Sequence, residues 1–202
     1  MTEDITIPQY SELTFDESTH TYRLSGMILP SVTTIMQPLS DDFYRTVDPA
    51  MLKKAADRGT IVHNTIENFI RFGMEDIPSA YAGYFDAFKW WWRVWQPEVL
   101  AAEYRMYHKI LRYAGTADLI CKINGRVTLV DYKTSAQVNS KLCAVQIEGY
   151  GRALESHGIK IDNRMILHLS PDGRYGEFPF PRSTKCWSVL SALLTVRNYM
   201  NE

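Results

Sequence analysis

The period of the apolar positions changes along the chain, and each change marks an element. Residues 15–29 alternate around a polar centre at 16–19 and close at Gly26. They predict a small hairpin ahead of the main fold, with no chemistry of its own. Pro30, Ser31, Val32 and Thr33 predict a helix start, with Ser31 as its cap and Pro38 keeping it short. Between 49 and about 72, Ile61, Val62, Ile66, Phe69 and Ile70 recur at helical spacing. One long amphipathic helix follows, with Gly59 and His63 one turn apart and Gly73 and Pro78 at its end. A second helix over 81–95, rich in aromatic residues, stops before Pro97, so the two form an α-hairpin.

Beyond residue 98 the period shortens to two. Runs at 99–110, 115–123 and 126–132 predict three strands, and Asn124-Gly125 between the last two is the pair best suited to a type I′ turn. A helix over 141–156 stopped by Gly158, a strand over 161–169, the turn Pro171-Asp172-Gly173, a strand over 174–180 and a closing helix over 183–200 complete the order. Helix, three strands, helix, strand is an α/β core. The 202 residues read as one domain: a hairpin and short helix at 1–48, a helical region carrying His63 at 49–97, and the sheet core with its C-terminal helix at 98–202.

Composition narrows the function classes. A hydrophobic share of 46% and a charged share of 22% exclude a disordered or fibrous chain. With 22 basic against 23 acidic residues there is no chain-wide positive field, so any nucleic-acid contact must be a local basic groove. Three cysteines without a CxxC pair exclude a four-thiolate zinc site or an iron–sulfur cluster built from this chain. The first ten residues are acidic and polar, and no apolar run approaches the ~20 residues that span a bilayer. The expectation is a soluble, cytoplasmic protein with no secretion signal and no membrane partner.

The candidate chemistry lies in two short segments. Asp118 closes Gly115-Thr116-Ala117-Asp118, and Asp131 and Lys133 belong to Leu129-Val130-Asp131-Tyr132-Lys133. The predicted hairpin sets the two carboxylates on neighbouring strands near one end of the sheet, and alternation puts Lys133 on the same face as Asp131. Ionised carboxylates among Ala117, Leu119, Ile120, Leu129 and Val130 are costly unless a cation meets them. Hard oxygen ligands favour Mg²⁺ or Mn²⁺, which polarise a phosphodiester and acidify water, while Lys133 orients the water and balances charge on the phosphorus oxygens. The implied reaction is phosphodiester hydrolysis.

In motif order these residues resemble the PD-(D/E)XK nuclease superfamily, in its RecB-like branch. A His in the helix before the sheet, a GxxD strand, a DxK strand and a QxxxY helix are matched by His63, by Gly115 with Asp118, by Asp131 with Lys133, and by Gln146 with Tyr150. The segment from Pro30 to Thr33 and the spacing after it are most similar to the mitochondrial genome maintenance exonuclease and to small phage and bacterial exonucleases. The resemblance implies a restriction-endonuclease-like core of helix, three-strand meander, helix and strand, with the N-terminal hairpin and a helical insertion added. It implies His63, Asp118, Asp131 and the Tyr132 carbonyl as metal ligands, Lys133 as the catalytic lysine, and Gln146 and Tyr150 as groups that position DNA. The partner is then DNA, single-stranded or with free ends, and recombination or replication proteins are further partners. A structure-specific endonuclease or nickase of the same superfamily, and an inactive scaffold that binds DNA or protein, are the alternatives.

Further residues carry lesser expectations. Thr134 and Ser135 follow the lysine and join the substrate-binding set. Glu103 either aids the metal through water or pairs with Arg105 or Lys109. Ser31 and Thr33 form a helix cap first and a phosphate contact second. Lys53, Lys54, Arg58, Arg71, Arg105, Lys109 and Arg112 are candidate backbone contacts. Trp90, Trp91 and Trp92 cannot all face inward, and an exposed one beside the cleft would stack a base of single-stranded DNA.

Overall fold

A computed structural model describes residues 6–201; residues 1–5 and 202 of the expected domain lie outside the described residues. The expected N-terminal hairpin is a three-stranded antiparallel meander of β1 (Leu13–Asp16), β2 (Thr21–Leu24) and β3 (Met27–Leu29). Gly26 does not end the unit but turns it into a second hairpin. Ser25 (φ 49°) and Gly26 (φ 86°) are both left-handed and join Leu24 to Met27, the geometry of a two-residue primed turn, so a third strand follows. Leu13, Tyr22, Leu24 and Leu29 bury their side chains together against Ala114.

Ser31 starts α1 (Val32–Ile35) as expected, its hydroxyl accepting from the Thr34 N–H at 3.0 Å. Pro38 does not end that helix but sits in the first turn of α2 (Gln37–Tyr44). A first-turn proline forfeits no hydrogen bond, because that N–H has no partner inside the helix. The long helix α3 (Pro49–Phe72) is capped by the Asp48 carboxylate on the Ala50 N–H and ends at left-handed Gly73. A single 3₁₀ turn at Ser79–Tyr81 leads into α4 (Ala82–Trp95), which stops at left-handed Gln96.

The main sheet has the order β4 (Glu98–Tyr107), β5 (Ala114–Ile123), β6 (Arg126–Lys133), β7 (Asn163–Leu169) and β8 (Tyr175–Pro179). Neighbours are antiparallel except β6 and β7, which run parallel around α5 (Ser140–Glu155); α6 (Thr184–Met200) closes the chain. The expected α/β fold is present. Asn124 (φ 50°) and Gly125 (φ 76°) make the two-residue turn that pairs Ile123 with Arg126, as the dipeptide requires. One sheet face packs on α1, α5 and α6 through Ile120, Leu129, Ile147, Leu154 and Leu190. The other packs on α3 and α4 through Val62, Phe88, Trp91, Leu119 and Val130. Among the described residues no helix is long and apolar enough to cross a membrane.

A candidate metal centre in a cleft

The sheet brings the acids together by register. Leu119 pairs with Val130, so Asp118 and Asp131 stand one step further along their strands, where the ladder opens. There the Tyr132 N–H donates to Asp118 Oδ2 at 2.6 Å, which fixes the carboxylate and leaves Oδ1 3.4 Å from His63 Nδ1 on α3. On the other side of β5, Ala102 pairs with Leu119 and Tyr104 with Ala117, and Glu103 falls between them, across from Asp118. Glu103 has φ 46°, a left-handed backbone in a non-glycine residue inside a strand. That conformation costs on the order of 1 kcal/mol or more and persists only where surrounding structure imposes it. Here it accompanies a carboxylate set beside the imidazole: His63, Glu103 and Asp118 each offer a ligand atom, all within 4.8 Å of one another.

Asp131 is not one of those three. Its Oδ2 lies 2.5 Å from Lys133 Nζ, and its Oδ1 accepts from Gln146 Nε2 at 3.2 Å. The same amide donates to the Tyr150 hydroxyl at 3.0 Å. Gln146 and Tyr150 therefore stand behind Asp131 and orient it, and neither lines the cleft in front. Tyr150 in turn packs against Gly115, where a Cβ would come 2.7 Å from its ring. Gly115→Ala is expected to lower stability by about 1–3 kcal/mol through overpacking, read as a lower denaturation midpoint with an unchanged slope.

The centre opens into a cleft of about 1250 Å³. His63, Glu103, Tyr132, Lys133, Thr134 and Ser135 line it, while Asp118 and Asp131 are buried beneath (8% and 2% exposed). Of the expected basic contacts, Arg58, Arg71 and Arg105 line the cleft; Lys53, Lys54, Lys109 and Arg112 do not. Arg58 lies over the Tyr84 ring and donates to Thr134 Oγ1 at 3.3 Å. Arg71 is held by Glu67 at 2.7 Å and by the Ala102 carbonyl. Glu67, one turn beyond His63 on α3, is a cleft acid that the sequence reading passed over, although the i, i+4 spacing marks it as sharing that face.

Two expectations are corrected. Ser31 is buried, its hydroxyl occupied by the α1 cap and by Thr33 and Thr34, and neither Ser31 nor Thr33 lines the cleft. A four-residue helix whose exposed amide is already bonded has no phosphate site to offer. The exposed tryptophan is Trp90, which packs edge-on to Tyr175 of β8 and lies outside the cleft, because α4 covers the sheet through β7 and β8.

The buried charges set one another's protonation. Burial alone would lower the His63 pKa, but the charge and hydrogen bond of Asp118 outweigh it and push His63 up to about 9. Burial would raise Asp118, and His63 holds it below the ordinary carboxylate range instead. Glu103 is pushed up to about 8 by burial first and by Asp118 second. Burial would lower Lys133, yet Asp131 and Asp118 hold it above its usual value, so it is an ammonium at neutral pH. Burial raises Asp131 against the pull of Lys133.

An imidazole nitrogen and two carboxylate oxygens, all within 4.8 Å of one another, are donors that suit a hard divalent ion such as Mn²⁺ or Mg²⁺. His63, Glu103 and Asp118 would hold it. Uptake must then displace the protons on His63 and Glu103, so Mn²⁺ affinity is expected to rise from pH 6 toward pH 9, by up to ~10-fold per unit for each proton displaced. Calorimetry in buffers of different ionisation enthalpy checks this through proton release; an affinity flat across that range would contradict it.

No family model matches the chain, and no curated protein matches it. Among solved structures, one described as "Crystal structure of SSO0001" is similar over 72% of this chain and 75% of its own, at 15% sequence identity and a TM-score of 0.41.

Proposed function

We propose that the chain is a divalent-metal-dependent deoxyribonuclease of the PD-(D/E)XK, RecB-like kind, an exonuclease that hydrolyses phosphodiester bonds from the ends of single-stranded DNA during recombination, repair or replication. The observation that carries this reading is the pairing of two units at one cleft floor: the His63–Glu103–Asp118 group and the Asp131–Lys133 ion pair. A bound Mg²⁺ or Mn²⁺ supplies Lewis-acid polarisation of the phosphodiester and a more acidic water. The protein's own part is positional and electrostatic. Lys133 keeps an ammonium beside the group and offsets the charge that grows on the phosphorus oxygens. Gln146 and Tyr150 keep Asp131 from turning away, and the Arg58 guanidinium, unpaired with any carboxylate among the described residues, offers a backbone contact at one end of the cleft.

Linear oligonucleotides labelled at the 5′ or 3′ end, single- or double-stranded, together with circular single-stranded DNA, test this reading in the presence of Mg²⁺ or Mn²⁺. The expected result is stepwise shortening of linear single strands with the circle intact. Cleavage of the circle would make the protein an endonuclease of the same kind, and inertness toward every substrate would make it a scaffold.

A further inference from the structure

The cleft extends past the metal group to the tip of the N-terminal meander. On β4 and β5, Arg105 pairs with Thr116, two residues along each strand from the Glu103 and Asp118 positions and therefore about 7 Å away on the same strand face. The Thr116 hydroxyl lies 2.8 Å from the hydroxyl of Tyr22, which is buried. Tyr22 pairs with Phe15 across β1 and β2, their ring centroids 4.5 Å apart. The Arg105 guanidinium sits 5.4 Å over the Phe15 ring, and the exposed His20 ring stands nearly perpendicular to Phe15, their centroids 5.1 Å apart. The meander is thus tied to the strand that carries Asp118, and Phe15, His20 and Arg105 all face the cleft.

The charge on Arg105 is barely used. Among the described residues its one carboxylate neighbour is Glu17, at 3.9 Å, whose side chain is 84% exposed. Such a contact contributes little. A guanidinium held over an aromatic ring and bound to no buried carboxylate keeps N–H donors for a phosphate. Beside it the exposed His20 ring, backed by Phe15, offers an aromatic surface to a base.

We infer that the tip of the N-terminal meander is a nucleotide subsite, in which Arg105 takes a backbone phosphate and the Phe15–His20 pair takes the adjacent unpaired base of the strand being cut. The inference rests on the nuclease reading and names its substrate class. A base within a duplex is paired and stacked on its neighbours, so this subsite rewards single strands.

The test is fluorescence anisotropy of a short labelled oligothymidylate, and of a duplex of equal length, with chelator present to prevent cleavage. Phe15→Leu and Arg105→Ala are each expected to weaken single-strand binding about tenfold and duplex binding by less than about twofold. Phe15→Tyr, which keeps the ring, is expected to bind as the unaltered protein does. A purely structural Phe15 would be served as well by leucine. In the same series, 2-aminopurine within the strand is expected to be quenched on binding to the unaltered protein and to stay bright with Phe15→Leu. Unchanged single-strand affinity in both variants, or equal losses for single strand and duplex, would overturn the subsite. Cleavage by the unaltered protein is scored separately. Tip variants that bind normally beside an active protein overturn the subsite alone; a protein that binds through the tip yet never cleaves overturns the nuclease reading and leaves the subsite standing.

Discussion

Replacing Lys133 by alanine is expected to reduce DNA cleavage by at least ~10³-fold while changing the affinity for single-stranded DNA by less than about threefold. The asymmetry follows from where the charge sits. Lys133 lies at the cleft floor against Asp131, with a quarter of its side chain exposed, so a distant backbone phosphate has little call on it. Its ammonium matters most when charge accumulates on the phosphorus oxygens. The substitution also strands the Asp131 carboxylate, 2% exposed, without a counter-ion, and breaking a buried pair this way costs about 3–5 kcal/mol. The double variant Asp131→Asn with Lys133→Ala removes that penalty, and it is expected to recover the melting temperature of the unaltered protein but none of its cleavage. Paired measurements of melting and cleavage thus separate the fold from the chemistry. A parallel loss of DNA binding and rate would show that Lys133 is a substrate-binding group.

Asp118→Asn is expected to weaken Mn²⁺ binding by at least about 100-fold and to abolish cleavage with it. Asparagine keeps an oxygen to accept the Tyr132 N–H, so β5 and β6 stay in register. What goes is the negative charge facing His63. Because that charge holds His63 up near 9 against the effect of burial, its pKa should also fall in the variant. The imidazole resonances followed by NMR against pH report this without any metal. A His63 that titrates alike in both proteins would place Asp118 elsewhere in solution.

What was legible in the sequence had local causes. Asn124-Gly125 dictates a turn that few other pairs can make, and it fixes the register bringing Asp118 and Asp131 to one end of the sheet. Pro49 and Gly73 bracket α3 and so place His63 on it. Pro38 and Gly26 misled because each residue has two compatible uses, ending one element or starting the next, and neighbouring packing chooses between them. Glu103 was ambiguous because its role depends on a left-handed backbone in β4, which no short-range pattern of a strand announces. The link from Gly115 through Tyr150 and Gln146 to Asp131 joins β5, α5 and β6; the motif spacing named its members, but only tertiary contact shows that they brace the carboxylate rather than face the cleft. The meander tip carries no chemical signal in the sequence for a similar reason: Phe15 and His20 acquire a setting only when Tyr22 reaches Thr116.

The most direct measurement is cleavage of an end-labelled single strand by the unaltered protein in three conditions: with Mn²⁺, with excess chelator, and with Mn²⁺ restored. The account predicts product, none, and product again, with no product from Asp118→Asn in any condition. Cleavage that persists in chelator, or that survives in Asp118→Asn, would contradict a hydrolytic centre built on His63, Glu103 and Asp118.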